Sequence, residues 1–534
     1  MKAVPRPPRP SSRALDLFLL PRPIFVFAAV ASIFLLSALP AFADTTTSAW
    51  SGTTNSTWST AGNWGVSGVP SATVSALFDS TFSNQPTLTA NQTTQGIWLA
   101  SSVGQDVTIN SAAAQVLTIQ GGAILNSKTD AGIYMNDSAN HNLTIGPNTS
   151  ITISAVTGFY NQQASGTLTI SGGVNLGIRS LTIGANATST GNVTINSAIT
   201  YTGVGVGGVT VNTAGTVTLS GNNTYLGATT MSSGGGTLVL SGTNNSTGST
   251  SVAGGTMQLA NNTANNGGLA SGALTMSTGG ILQVTNASAL TISNAVLLPG
   301  SSSVSGSQSL TINGSFTQTG TTRTLTNNMT AGSTLTLAGP VYLSNDLLTA
   351  KTMTLGGTGS TTVNGAISNA NGGGLAGGLS TAGNGTITLN GNNTYTGNTT
   401  VGAGTVILNG TSTSGTTAVN AGATFILNGT MSNSTSISVT SSTSVFNESS
   451  TGVISSGSFT ISTTGGIATL AGNNTYAGGT TLTSATLNIN SATALGTGNF
   501  TIAGGTIDNT SAAAVTLTNN NVQAHLLQFQ YCRC

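Results

Sequence analysis

A five-residue string recurs three times in this chain, as Gly221-Asn222-Asn223-Thr224-Tyr225, Gly391-Asn392-Asn393-Thr394-Tyr395 and Gly472-Asn473-Asn474-Thr475-Tyr476. Each copy follows an apolar strand end (Leu219, Leu389, Leu470) and runs on into a glycine (Gly227, Gly397, Gly478) and a threonine pair. Self-similarity of this kind means that one small unit is stacked on copies of itself, because a unit of roughly 20 residues cannot cover its own apolar face. The three leucines stand 170 and 81 residues apart. Those gaps divide into about eight and four steps of roughly 20 to 21 residues, the length of one coil in a β-solenoid.

A second pattern fills the chain between the copies: apolar-Thr-apolar, followed by Asn, Ser or Gly. It appears at Val107-Thr108-Ile109, Leu117-Thr118-Ile119, Leu143-Thr144-Ile145, Leu168-Thr169-Ile170, Leu181-Thr182-Ile183, Val193-Thr194-Ile195, Leu290-Thr291-Ile292, Leu310-Thr311-Ile312, Leu335-Thr336-Leu337 and Ile387-Thr388-Leu389. Period-two alternation turns the aliphatics to one side and the threonine to the other, which is a half-buried strand. Asn and Gly at the ends are expected to supply left-handed backbone angles at the corners. No helical periodicity is sustained between Asp44 and Asn521, and the spacing leaves no room for crossover helices, so successive coils stack as parallel strands. Composition points the same way. Charged residues are 4% of the chain, against a usual quarter, so the chain lacks the high net charge of a disordered segment. Uncharged Thr/Val/Ile strands with free edges aggregate, and a stack hides those edges. The expected fold is all-β: a parallel β-helix or solenoid of about 20 coils, on the order of 100 Å long at about 4.8 Å per rung.

The repeated blocks resemble the autotransporter-associated β-strand repeat, also called the passenger-associated transport repeat, of exported Gram-negative proteins. The run Ala494-Leu495-Gly496-Thr497-Gly498, with Ile502 to Thr506 and Asp508-Asn509-Thr510, resembles the downstream half of the same unit. The resemblance implies a right-handed coil and a passenger region, secreted or held at the cell surface or outer membrane. It also implies a C-terminal membrane barrel, which is not expected within these 534 residues. Residues 524–534 abandon the Gly/Thr/Asn texture and carry both cysteines, Cys532 and Cys534. Two cysteines one residue apart bridge poorly, and the abrupt change is expected of a truncated or frame-shifted end.

The other end reads as an export leader over residues 1–43. Lys2, Arg6, Arg9, Arg13 and Arg22 precede the uncharged run Ile24 to Leu39, and Ala41-Phe42-Ala43 forms a small-x-small site before Asp44. The competing reading, an uncleaved anchor, needs about 20 apolar residues, more than this run has. Without the leader, Lys128, Arg179, Arg323, Lys351 and Arg533 face eight acidic residues, too little positive charge for a nucleic-acid binder.

Residues 44–100 hold all four tryptophans, Trp50, Trp58, Trp64 and Trp98. The even spacing of the first three would put them on one face of an extended chain. They are expected to plug the first coil, with sugar stacking as the functional alternative. Residues 101–523 are the expected solenoid.

Chemistry-bearing groups are sparse. Lys128, Asp130, Asp137 and His141, beside Asp106, form the only polar knot, and the 24-residue gap from Asp106 to Asp130 suggests adjacent rungs. Asp79, Asp346, Asp508, Glu448 and His525 are scattered. No serine has an evident histidine and carboxylate partner, and paired carboxylates of the glycosidase kind are not apparent. Asn371 to Gly378 is glycine-rich without the aspartates of a calcium roll. Val204 to Gly208 lacks the lysine of a phosphate loop. No catalytic, cofactor-binding or metal residue is therefore assigned, and the Asn-x-Ser/Thr triplets follow from composition. The reading is a non-catalytic, adhesin-like or structural rod, with extracellular glycans or copies of itself as partners. The membrane enters only through export machinery or a barrel. A polysaccharide lyase or hydrolase is the alternative, and a threonine-ladder ice binder the remote one. Converging carboxylates in a groove would favour the enzyme.

Overall fold

The computed structural model describes residues 44–526 apart from 185–188, 262–264, 433 and 463–464. The expected leader (1–43) and the cysteine-bearing end (527–534) lie outside the described residues.

The described chain is a parallel β-solenoid of about 19 turns. One ladder of 14 strands runs from Thr47–Ala49 to Ile367–Ala370. A second runs from Thr87–Leu88 through Leu143–Ile145, Thr256–Leu259 and Thr399–Val401 to Gln523–His525. This second ladder is an open stack, in which Gln523–His525 pairs with Phe500–Ile502. The third side is built in two parts: five strands between Gln92–Thr94 and Ile199–Thr200, then eleven from Leu290–Ile292 to Thr506–Asp508. A short ladder of four strands, Asn392–Asn393 to Val453–Ile454, follows the first ladder at its upper end. Among the described residues no helix is long and apolar enough to cross a membrane.

Alternation does what the pattern predicts. In Thr167–Ile170, Thr216–Leu219 and Thr386–Leu389 the aliphatics are buried and the threonines half-exposed. Like stacks on like: Leu168, Thr169 and Ile170 pair with Leu143, Thr144 and Ile145 below and Val193, Thr194 and Ile195 above. Burial of these aliphatics, at about 25 cal/mol per Å², drives a stack whose main chain is satisfied between rungs. Near the C-terminal half the core is aromatic, with Phe425 stacked on Phe446 at 5.6 Å and Phe446 edge-on to Phe459 at 5.1 Å.

Coil length is less uniform than the expected 20 to 21 residues. Thr399 pairs with Thr417 only 18 residues on, whereas Val107 pairs with Leu143 after 36. The reason is the length of the connections between strands: in the 36-residue coil residues 120–130 and 136–142 link successive strands, whereas Thr399–Val401 and Thr405–Leu408 are separated by residues 402–404 alone. Coils with an asparagine corner carry two full strands, and coils in the stretch from Leu274 to Ala370 carry three.

The three tryptophans do converge. Trp50 and Trp58 each pack edge-on against Trp64 at 4.8 Å, and Trp64 against Phe78 at 6.5 Å. The cause is not an extended chain: residues 51–74 are turns, a 3-10 segment at Ala61–Asn63 and an antiparallel bridge from Trp50 to Trp64. Trp98 lies on the outside, its indole donating to Asn136 Oδ1 at 2.9 Å and its ring against Tyr134.

Candidate functional site

The repeated string builds the same corner three times. Asn223, Asn393 and Asn474 are buried, and each side-chain Oδ1 accepts the main-chain N–H of an isoleucine one rung below: Ile199 at 2.9 Å, Ile367 at 3.1 Å and Ile454 at 2.7 Å. The next residue, Thr224, Thr394 or Thr475, donates its N–H back to the carbonyl of that same isoleucine. The tyrosine points into the core and its hydroxyl meets the threonine four residues on: Tyr225 with Thr229, Tyr395 with Thr399 at 2.6 Å, and Tyr476 with Thr480 at 2.7 Å. Asparagine thus imitates the hydrogen bonds of a strand at the corner and ties each coil to the rung below.

The glycines of these corners are not there for left-handed angles, contrary to the expectation from sequence. None of Gly221, Gly391 and Gly472 has a positive φ, and neither does any asparagine in the three strings. A Cβ on Gly391 would overlap the carbonyl of Gly365, one on Gly410 that of Gly391, one on Gly429 that of Gly410, and one on Gly472 that of Gly452. The glycines form a column in which successive backbones touch.

The corners are locally equal but lie on different edges. The first copy joins the second ladder to the first, between Thr216–Leu219 and Thr229–Met231. The other two join the third side to the second ladder, as Thr386–Leu389 to Thr399–Val401 and Ile467–Leu470 to Thr480–Leu482. From Tyr225 to Tyr395 the chain makes seven turns plus one face rather than eight turns, and from Tyr395 to Tyr476 it makes four.

The polar knot expected around Asp106 does not assemble. Asp106 accepts the main-chain and side-chain N–H groups of Asn142, 36 residues on, so Asn142 and not Asp130 is its rung neighbour. Asp137 is buried and accepts from the N–H of Ala139 and from His141 Nδ1 at 2.8 Å, stabilising its own turn. Lys128 lies over the Tyr160 ring at 4.9 Å. These contacts sit at opposite ends of Ala131–Met135 and tie corners together. Among the described residues no three His, Cys, Asp or Glu side chains gather into a metal site. Asp346 and the buried Lys351 form an ion pair at 2.6 Å, and the lysine hydrogen bond, with the N–H of Leu348, holds the carboxyl down to about 2. That pair pins a loop.

Glu448 is the unforeseen group. It is 2% exposed, and its Oε2 accepts the N–H of Gly472 and the amide of Asn474, while Oε1 has no partner. Burial pushes its carboxyl up to about 7, against the pull of those two donors. Tyr476 is raised by its own burial and by the neighbouring carboxyl.

Outside the coil an asparagine column stands in register. Asn390 Nδ2 donates to Asn364 Oδ1 at 2.8 Å, Asn409 to Asn390 at 2.8 Å and Asn428 to Asn409 at 2.9 Å. All four precede a glycine, and that Asn-Gly pair is the signal of the column in the sequence. Single-file threonine rows also run for five rungs, Thr108-Thr144-Thr169-Thr194-Thr218 on the second ladder and Thr291-Thr311-Thr336-Thr362-Thr388 on the third side, the latter ending beside Asn364 and Asn390. The first ends at Val239 and Gln258, the second at Ile407 and Ile426.

The model of one known family, the passenger-associated-transport-repeat, matches residues 209–234, 232–259, 379–408 and 465–489. Each match is centred on an asparagine corner. The second falls on Gly242 to Gly248, where Asn244 bridges Asn223 and buried Ser246 takes the place of the tyrosine. No curated protein and no solved structure matches the chain.

Proposed function

This chain carries four passenger-associated transport repeats in a parallel β-solenoid, and we propose that it is the non-catalytic passenger of an exported surface protein: a rod, adhesin-like or structural, displayed outside a Gram-negative cell. The observation that carries this reading is the repeat itself, set in a parallel stack in which Asp106, Asp137, Asp346 and Glu448 serve the fold. Passenger repeats are not a catalytic family. Asp106, Asp137, Asp346 and Glu448 each engage a local partner at a different corner, a distribution that suits a scaffold better than acid–base chemistry, which needs two groups aimed at one bond. A rod of about 19 similar rungs gains its affinity by multiplicity, since linked weak contacts add up to avidity.

Expression of the full chain in a Gram-negative host, followed by fractionation and protease treatment of intact cells, tests the reading. Loss of the N-terminal segment and recovery of the chain from the periplasm, the cell surface or the medium is the expected result. A chain that stays protected inside the cytoplasm with its N-terminal segment uncut would overturn it.

A further inference from the structure

We propose that the outward face of Thr386–Leu389, Thr405–Leu408 and Thr424–Leu427, with the asparagine column beside it, binds a neutral polysaccharide laid along the solenoid axis. This rests on the surface-rod reading and names the ligand class and the face that meets it.

Charge is the first argument. Between Lys351 and Glu448 the sequence contains no Asp, Glu, Lys or Arg, and Glu448 itself is buried. A sulfated, phosphorylated or carboxylated ligand would give up water on this face and meet no counter-charge. A neutral chain gives up only hydroxyl hydration, which amides restore.

Hydrogen bonding is the second. In Asn390 and Asn409 one amide hydrogen goes to the rung below and the oxygen accepts from the rung above. Each still has one N–H and one lone pair to offer. Donors and acceptors therefore alternate up the column, which suits hydroxyl groups that do both. The side chains are already fixed by the ladder, so binding costs little further rotamer entropy.

Shape is the third. Ile407 and Ile426 stack in register on the outer side of Thr405–Leu408 and Thr424–Leu427, each half-buried. An apolar strip edged by amides matches a sugar ring, whose apolar face is bounded by hydroxyls. The rung repeat of about 4.8 Å is close to the length of one ring, so an extended chain places successive sugars over successive rungs. A second copy of the protein fits less well. A stable copy-to-copy contact covers about 800 Å² per partner around an apolar centre, and two half-buried isoleucines do not make one.

The test is co-sedimentation of the purified full chain with cellulose, together with affinity electrophoresis in xylan, β-glucan and mannan and, as the charged control, polygalacturonate. Retention by at least one neutral glycan, insensitive to about 0.5 M salt, is expected. The double variants I407K/I426K and N390S/N409S are expected to weaken it at least tenfold, while T210K on the first ladder leaves it unchanged. Circular dichroism and melting confirm that each variant folds, and the serine pair keeps the test usable if the lysine pair does not. No retention by any neutral glycan, retention by polygalacturonate alone, or equal binding by all variants would sink the proposal. So would loss of binding that tracks a change from oligomer to monomer in sedimentation velocity, since the face would then belong to a second copy. These assays use pure protein, so their failure leaves the cell-surface result standing, and the reverse holds too.

Discussion

Glu448 shows what one ionisable side chain does inside a nearly chargeless core. Its ordinary value of 4.5 rises to about 7 because the folded chain hides it from water. Between those values the folded state holds a proton that the unfolded state has released. Stability is therefore full below about pH 4.5 and falls as pH rises towards 7, the reverse of an ion-paired carboxylate. The shift corresponds to roughly 3 kcal/mol across that window. Urea titrations at pH 5 and pH 8 are expected to show the drop, and Glu448→Gln to flatten it; an unchanged slope in the variant would assign the effect elsewhere. The asparagine column makes a second residue-scale prediction, because it has a direction. Asn409→Asp removes the donor to Asn390 and sets two oxygens against each other, a loss of about 1 kcal/mol or more. Asn364→Asp keeps its role as acceptor from Asn390 and is expected to be neutral within about 0.5 kcal/mol. Paired denaturation curves separate the two.

At the scale of strand and corner, the glycine column is the part most easily misread. Gly410→Ala sets a methyl against the Gly391 carbonyl, and backbone cannot step aside as a side chain can, so a loss of about 3 kcal/mol is expected. Gly422 has φ +73 and open space around its missing Cβ, so Gly422→Ala is expected to cost only about 1 kcal/mol of left-handed strain. A melting series with both variants tests which demand each glycine meets; equal losses would refute the distinction. Sequence alone cannot separate these demands, since both ask only that a side chain be absent. The strands were readable because inward Leu168 and Ile170 and outward Thr169 differ in polarity. The corners were readable as repeats, yet their mechanism was not: Asn393 bonding to Ile367 depends on a rung 26 residues away. The Asp106–Asp130 pairing failed for the same reason, because the coil between them is longer than the average that suggested it.

For the whole molecule, each rung touches mainly its neighbours, so the stack behaves as a one-dimensional array. Excising residues 410–428 removes 19 residues, the interval at which Asn428 meets Asn409, and brings Gly429 onto Gly391 in the same column. That shortened chain is expected to remain protease-resistant and to melt cooperatively. Removing only 410–419 breaks the register of every later rung and is expected to expose the C-terminal part to trypsin-independent proteases such as thermolysin. Equal resistance of both deletions would argue against in-phase stacking.

The one-face displacement of the corners between Tyr225 and Tyr395 has a consequence for how such a rod meets its surroundings. The repeats at 209–259 and those at 379–489 point to different compass bearings about a common axis, joined by a three-stranded splice that resets the phase. A single flat target can therefore engage one set or the other, and a rod that grips with both must lie between two surfaces or inside a mesh.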